Sequence, residues 1–338
     1  NMRTKLYMIA LAAMTMILGS CSDSNSEFSQ DYLADTPIKL NVSVDEPTTR
    51  AGYSNAELPE GFVLKVDQLN ADKYNYLVWA KKVGDNWKTY KLNKETNSVT
   101  DEEVTMLWAN MNDKVDVTVS AISDINYRDG VSVHGIVNKH PTDQTTPDAL
   151  KKADFLAMPL TPVAPTQDGI NVEFKHTMSK INLTIELGSE YEFTQEDVDT
   201  KITDVKIDGS KVEAFYHINT SNYDPQFQFS GHFGDPASIS PYHTGTTPYS
   251  KTDGAITKAK ATYEAILIPQ TIASGNFTVS FKVDGKLYEW TYNQELTLAS
   301  TTAYTLKLTA GDDKVQPVSF SVAAWGKGNG DGEKKETD

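Results

Sequence analysis

One cysteine, six histidines and 46 carboxylates are the groups of this 338-residue chain best suited to carry chemistry, and their spacing limits what they can do. The histidines are dispersed, with no pair at i, i+2 or i, i+4 to preform a metal site. There is no G-x-S-x-G nucleophile elbow, no H-E-x-x-H, no phosphate-binding loop and no dinucleotide glycine fingerprint. Asn329-Gly330-Asp331-Gly332 shares a fragment with calcium loops but lacks their ordered carboxylates and distal glutamate. Carboxylates this abundant will pair in some cleft by chance, so a glycosidase reading has nothing specific behind it. The pattern predicts no catalytic residue, no cofactor and no metal site, and the chain is not expected to be an enzyme.

Two residues stand in a more telling context. Cys21 is the only thiol, so neither a disulfide nor a Cys-x-x-Cys pair can form within the chain. Ahead of it come Arg3 and Lys5, a mostly apolar run from Leu6 to Leu18, and Gly19-Ser20. A basic start, an apolar stretch too short to span a bilayer and a small-residue exit predict an export signal over residues 1–20. Leu18-Gly19-Ser20-Cys21 resembles the bacterial lipobox, in which the cysteine is lipidated and becomes the mature N-terminus. The alternatives are a plain secretory peptide cut elsewhere, or a buried free thiol at Cys21. Residues 21–35, opening with the polar Ser22 to Glu27, are expected to be a lipidated tether that need not fold. Its composition is similar to the export tags of some surface lipoproteins. Arg50 is the second such residue. In Glu46-Pro47-Thr48-Thr49-Arg50-Ala51-Gly52, a turn-prone stretch, an arginine among small residues is open to a trypsin-like protease that would cut before Ala51.

The elements around these residues read as strands. The chain is long enough for two domains, and a formal charge of −15 with no basic cluster argues against nucleic acid as a partner. Ile38, Leu40, Val42 and Val44 alternate with polar residues, so Pro37 to Val44 is a strand covering a core on one face. Further short strands are expected over 61–66, 74–81, 104–108 and 115–122, with turns at 83–86, 110–113 and 128–130. No ten-residue amphipathic helix separates them, which predicts a meander or Greek-key sandwich; residues 147–153 could form one or two helical turns. Trp79 and Trp108 are expected to pack against the sheet. The proline-rich stretch Leu160 to Asp168 is read as a domain junction, dividing an N-terminal β-sandwich (36–165) from a C-terminal one (166–325).

Asn171 to Leu187 has the clearest period in the chain. Val172, Phe174, His176 and Met178 share one parity, and Ile181, Leu183, Ile185 and Leu187 the other. The slip at Ser179-Lys180 predicts either one strand with a β-bulge, opening the second domain, or two strands across a corner. His176 is expected to be a packed or rim histidine. A strand from Lys201 to Ile207 should turn at Asp208-Gly209 and pair with Val212 to Ile218. Asn219 to Thr262 lacks clear periodicity and is read as a candidate ligand region, with Tyr223, Phe227, Phe229 and Tyr242, or as a variable insertion. Phe277 to Val283 and Leu287 to Tyr292 form the clearest hairpin, and Val318, Phe320, Val322 and Ala324 mark the last strand. Residues 326–338 have no apolar side chain and are expected to be a disordered tail.

The order of five short runs resembles the fimbrillin-like (FimA/Mfa-like) lipoproteins of Bacteroidota: the lipobox, Thr49-Arg50-Ala51, Phe174 to Ile181, Ala265 to Gln270, and Ala324-Trp325-Gly326. The resemblance implies an all-β fold of two transthyretin-like β-sandwich domains and a subunit of a type V pilus that supports adhesion. It implies a palmitoylated surface lipoprotein of the outer membrane that joins a fimbrium after cleavage following Arg50. The strand carrying Ile38, Leu40, Val42 and Val44 would then be displaced by a donor strand from a neighbouring subunit. The tail beyond Trp325 has no alternating apolar residues, so a donor segment of this chain would be Val318, Phe320, Val322 and Ala324. The implied partners are other fimbrial subunits, the outer membrane through the lipid, and a host or bacterial surface ligand. The alternative is a non-polymerising surface lipoprotein that binds glycan or host protein.

Overall fold

The computed structural model describes residues 32–45, 57–68, 71–93, 98–121, 128–131, 135–217, 229–311, 315–325 and 333–335. Among them the first half of the chain holds β1 (Leu40–Val44), β2 (Gly61–Gln68), β3 (Tyr76–Val83), β4 (Asn86–Asn93), β5 (Ser98–Glu103), β6 (Val115–Ala121), β7 (Arg128–Val131), β8 (Gly135–Lys139), helix α1 (Pro147–Ala153), β9 (Leu156–Val163) and β10 (Ile170–His176). Eight of these strands form one open sheet, ordered β1-β10-β9-β6-β2-β3-β4-β5. The sheet curls, so that Phe62 on β2 meets both Trp87 on β4, at 5.0 Å, and Phe174 on β10, at 5.2 Å. Its alternating residues Val115, Val117 and Val119, with Ile170, Val172 and Phe174, enclose a first core that Met106 and Trp108 close at one end. Residues 104–108, expected as a strand, are a strap instead: Leu107 makes a single bridge to Pro37, and the run is tied by its backbone to Thr36 and Ile38.

The second half continues with β11 (Ser179–Leu187), helix α2 (Gln195–Lys201), β12 (Ile202–Ser210), β13 (Glu213–His217), β14 (Phe229–Phe233), β15 (Ala237–Ile239), β16 (Tyr242–Thr247), β17 (Ser250–Thr252), β18 (Ala255–Thr257), β19 (Lys260–Leu267), β20 (Gln270–Ile272), β21 (Phe277–Val283), β22 (Lys286–Tyr292), β23 (Leu296–Leu298), β24 (Thr302–Ala310), β25 (Val315–Ala324) and β26 (Glu333–Lys335). A six-stranded sheet, β16-β19-β11-β24-β25-β26, and a four-stranded one, β15-β12-β21-β22, share a second core. The alternation of each strand supplies it: Ile181, Leu183 and Ile185 from one sheet, Phe277, Val279 and Phe281 from the other. The packing is sandwich-like, and none of the described sheets closes into a barrel.

Several expectations change. Asn171 to Leu187 is not one bulged strand but two. Ile170 to His176 belongs to the first sheet, antiparallel to β9 and parallel to β1, whereas β11 lies between β19 and β24 in the second. The parity slip marks a change of core: Val172 and Phe174 face the first, Ile181 and Leu183 the second. Asp208-Gly209 is not a hairpin turn either. Strand β12 runs through it and pairs with β15 and β21, while β13 pairs with β8 and β14 in another sheet. Gly209 has φ +102, and a Cβ there would stand 2.1 Å from the Asn276 carbonyl oxygen, so the glycine serves a close backbone approach. Arg128–Val131 is a strand rather than a turn, five short strands fall within 219–262, and Glu333–Lys335 pairs with Phe320–Val322 inside the expected tail. Helix α2 was not anticipated. Its signal is a capping box, in which the Thr194 side chain accepts from the Asp197 N–H and the Asp197 carboxylate accepts from the Thr194 N–H.

Candidate functional site

Strand β1 is an edge strand held by its neighbour and little else. It runs parallel to β10 in the register Leu40↔Ile170 to Val44↔Phe174, and its other edge has no strand partner among the described residues. Ile38 and Val44 are buried, and Leu40 and Val42 are half-buried against the first core. Main-chain bonds fix both ends: the Ile38 N–H donates to Met106 O at 2.8 Å, and the Asp45 N–H donates to Phe174 O at 2.8 Å. On the exposed face Asn41 Nδ2 donates to Asp168 O and Asn171 Oδ1, and Lys175 pairs with Asp45 at 2.8 Å. All these ties except the strap at Met106 reach the 168–175 segment, so the seat of β1 is essentially one strand wide.

Gly169, which follows the stretch read as a domain junction, makes that seat possible. It sits at φ +88, and a Cβ would stand 2.2 Å from Lys39 O, the carbonyl that accepts the Ile170 N–H at 2.9 Å. Gly169→Ala should therefore combine left-handed strain with a backbone clash, costing about 1–3 kcal/mol concentrated at β1. Hydrogen exchange checks this: the amides of Ile170 and Asp45 should lose protection while those of β21 keep theirs. Unchanged protection at Ile170 would refute the role given to the glycine.

Where β10 ends, the chain crosses from the first core to the second, and a buried polar junction lies at that crossing. His176 Nδ1 is 2.9 and 3.0 Å from the two oxygens of the fully buried Asp154 carboxylate. The Trp325 ring stacks on the imidazole at 4.8 Å and 15°. Lys180, also buried, pairs with Glu264 at 2.8 Å, and its ammonium lies 6.0 Å from the Trp325 ring centre. Met178, Ile266, Ile268 and Trp325 belong to one apolar cluster between the halves. Three of the short runs separated in sequence, around 174–181, 265–270 and 324–325, thus converge in space. His140 lies nearby, with Nε2 donating to Ile266 O at 2.5 Å; burial pushes its pKa down to about 4, so the imidazole is neutral at pH 7.

The other expected site residues fall as follows. Cys21, Arg50, Ala51, Tyr223 and Phe227 lie outside the described residues. Phe229, half-buried, packs on Phe155 at 5.6 Å and on Tyr216 at 5.2 Å, and the half-buried Tyr242 packs on the same cluster. Trp79 and Trp108 are buried, as their packing reading required. The last strand, β25, is seated between β24 and β26; Phe320 is buried against Tyr292 and Tyr304, and Val322 packs on the same core. Among the described residues no group of three His, Cys, Asp or Glu side chains could hold a metal ion.

Residues 62–325 match a protein family described as fimbrillin-like. The fold is similar to that of a candidate cell adhesion protein from Bacteroides ovatus ATCC 8483, with a TM-score of 0.57 at 15% identity over 86% of this chain and 98% of that one. A candidate cell adhesion protein from Bacteroides uniformis ATCC 8492 is similar with a TM-score of 0.50 at 18% identity, over 86% and 98% of the two chains. No curated protein matches this chain.

Proposed function

Because this chain belongs to the fimbrillin-like family, we propose that it is a stalk or tip subunit of a type V pilus, assembled by loss of its first strand and donor-strand complementation. Membership in that family makes it a structural protein and not an enzyme. In this reading Cys21 is acylated, and the lipid holds the protein to the outer membrane until maturation. Two transthyretin-like β-sandwich domains divide where β10 gives way to β11, later than the 160–168 junction expected from the sequence, because Ile170–His176 pairs with β1 and β9. The partners are other fimbrial subunits and a ligand on a host or bacterial surface. Adhesion is supported by the description of the two Bacteroides proteins of similar fold.

One observation carries the mechanism: β1 is an apolar edge strand that covers the first core yet, among the described residues, pairs with β10 alone. Its removal leaves the Ile170, Val172 and Phe174 face uncovered and one strand edge unpaired, which an incoming strand satisfies with main-chain hydrogen bonds and alternate apolar side chains. Cleavage after Arg50 severs β1 from the body and leaves every later strand intact. The donor is the Val318, Phe320, Val322, Ala324 segment of a neighbouring copy, or a strand from another subunit type.

Native surface material tests this directly. Intact mass should find chains beginning at Ala51, and mild detergent should leave ladders of higher-order species. Arg50→Ala should abolish both. An uncut Arg50 in surface material that contains no higher-order species would overturn the proposal in favour of a monomeric lipoprotein.

A further inference from the structure

A cavity of about 320 Å³ opens where α2, β12, the start of β16 and β19 meet, remote in sequence from β1. Its volume is near the lower end of the roughly 300–1,000 Å³ range of small-molecule sites, room for one ring and its substituents. The tertiary fold builds it. Strand β12 shifts register against β21 between Thr203 and Lys206, and Asp204 takes the left-handed conformation, φ 54. The apolar lining is Val198, Ile202, Val205, Pro241 and the Tyr263 ring, all buried. His243, exposed at the rim, tilts over Tyr263 with ring centres 5.1 Å apart.

The polar lining alternates acceptors and donors. Asp199 accepts from the Thr246 hydroxyl and from Gln195 Nε2 at 3.1 Å, and the Thr246 bond holds its carboxyl below the ordinary range, so it is an acceptor at neutral pH. Asp204 pairs with Lys282 at 2.8 Å, and that hydrogen bond lowers its carboxyl in the same way. Lys206 Nζ donates to Ser240 Oγ at 2.6 Å. Each of these anchors leaves lone pairs on the carboxylates for a further donor.

From this arrangement we infer that the cavity is a binding site for one neutral sugar residue at the end of a glycan. A pyranose offers what the lining complements: an apolar C–H face for the Tyr263 and His243 side, and hydroxyl groups that donate to Asp199 and Asp204 and accept from Lys206. Two carboxylates against one lining ammonium disfavour a phosphate, a sulfate or an acidic sugar. The inference does not rest on the subunit reading and holds whether or not the chain polymerises.

The test is ligand-observed NMR on the full chain with methyl glycosides of glucose, galactose, mannose and N-acetylglucosamine, and with sialic acid and glucose 6-phosphate as anionic probes. At least one neutral glycoside should bind with a Kd on the order of 1 mM. Asp199→Asn and His243→Ala should each weaken it about tenfold, as expected for loss of a charged acceptor or a packing face. Asp204→Asn, which tolerates the left-handed backbone, should do the same, while Val83→Ser, exposed at the β3–β4 turn of the first sheet, should change nothing. His243 is exposed, so its variant reports even if Asp199→Asn fails to fold. Absence of binding by every neutral glycoside, binding that survives both His243→Ala and Asp204→Asn, or preference for an anionic probe would each overturn the inference.

Discussion

A chain that begins at Ala51 should melt about 10–20 °C below one that keeps β1. Ile38 and Val44 are buried and Leu40 and Val42 half-buried in the first core, so their removal withdraws on the order of 5 kcal/mol, after allowance for compactness of the unfolded chain. That is comparable with the whole stability of an ordinary domain. The loss should be reversible by mass action, because the seat on β10 remains. A synthetic Thr36–Asp45 peptide at a hundredfold excess over its Kd should restore about 2.7 kcal/mol, and the same peptide with Val42→Asp and Val44→Asp should restore none. Substituting a Val315–Trp325 peptide then asks whether the last strand can occupy the same groove. A truncated chain that melts with the intact one would show that β1 is not structural cover, and the displacement mechanism would fall with it.

Lys180→Ala should be among the most damaging single substitutions, costing about 3–5 kcal/mol, because it removes one partner of a buried pair and leaves a void beside Trp325. The Lys180 side chain is 1% exposed and the Glu264 side chain 16%, so the carboxylate left behind has little water to turn to. Charge is not what the junction needs for stability. Lys180→Met with Glu264→Gln keeps the volume and removes both charges, and should stay within about 1.5 kcal/mol of the parent. Denaturant midpoints at unchanged slope measure both. If the alanine variant were as stable as the double variant, the pair would be a surface-like contact and the junction would be held by the His176–Asp154 pair and the packing around Trp325.

What the linear chain determined by itself were the properties that depend on neighbours in sequence. Alternation in Ile38 to Val44, Ile181 to Leu187 and Phe277 to Val283 named buried faces, because successive side chains of a strand point to opposite sides. Asp284-Gly285 named its hairpin, with φ 50 and 81, because few residues adopt that turn. Thr146 and Pro147 opened a helix over the 147–153 stretch where one or two turns were expected. The order of short degenerate runs named the family, and three of them, around 174–181, 265–270 and 324–325, meet at Trp325.

Only the tertiary structure decided which core each buried face served. The parity slip after His176 is compatible with a bulge or with a change of sheet, and no local rule separates them; two cores, one on each side of Met178, do. Gly209 follows an aspartate and precedes a strand, which is turn chemistry, yet its conformation answers to Asn276, 67 residues away in the chain. Lys180 and Asp154 carry no local mark of burial, since a charge leaves water only when partners from other strands are in place to receive it. The seat of β1 belongs to the same class: Lys39 and Gly169 approach closely because parallel pairing joins segments 130 residues apart, a distance over which sequence periodicity carries no information.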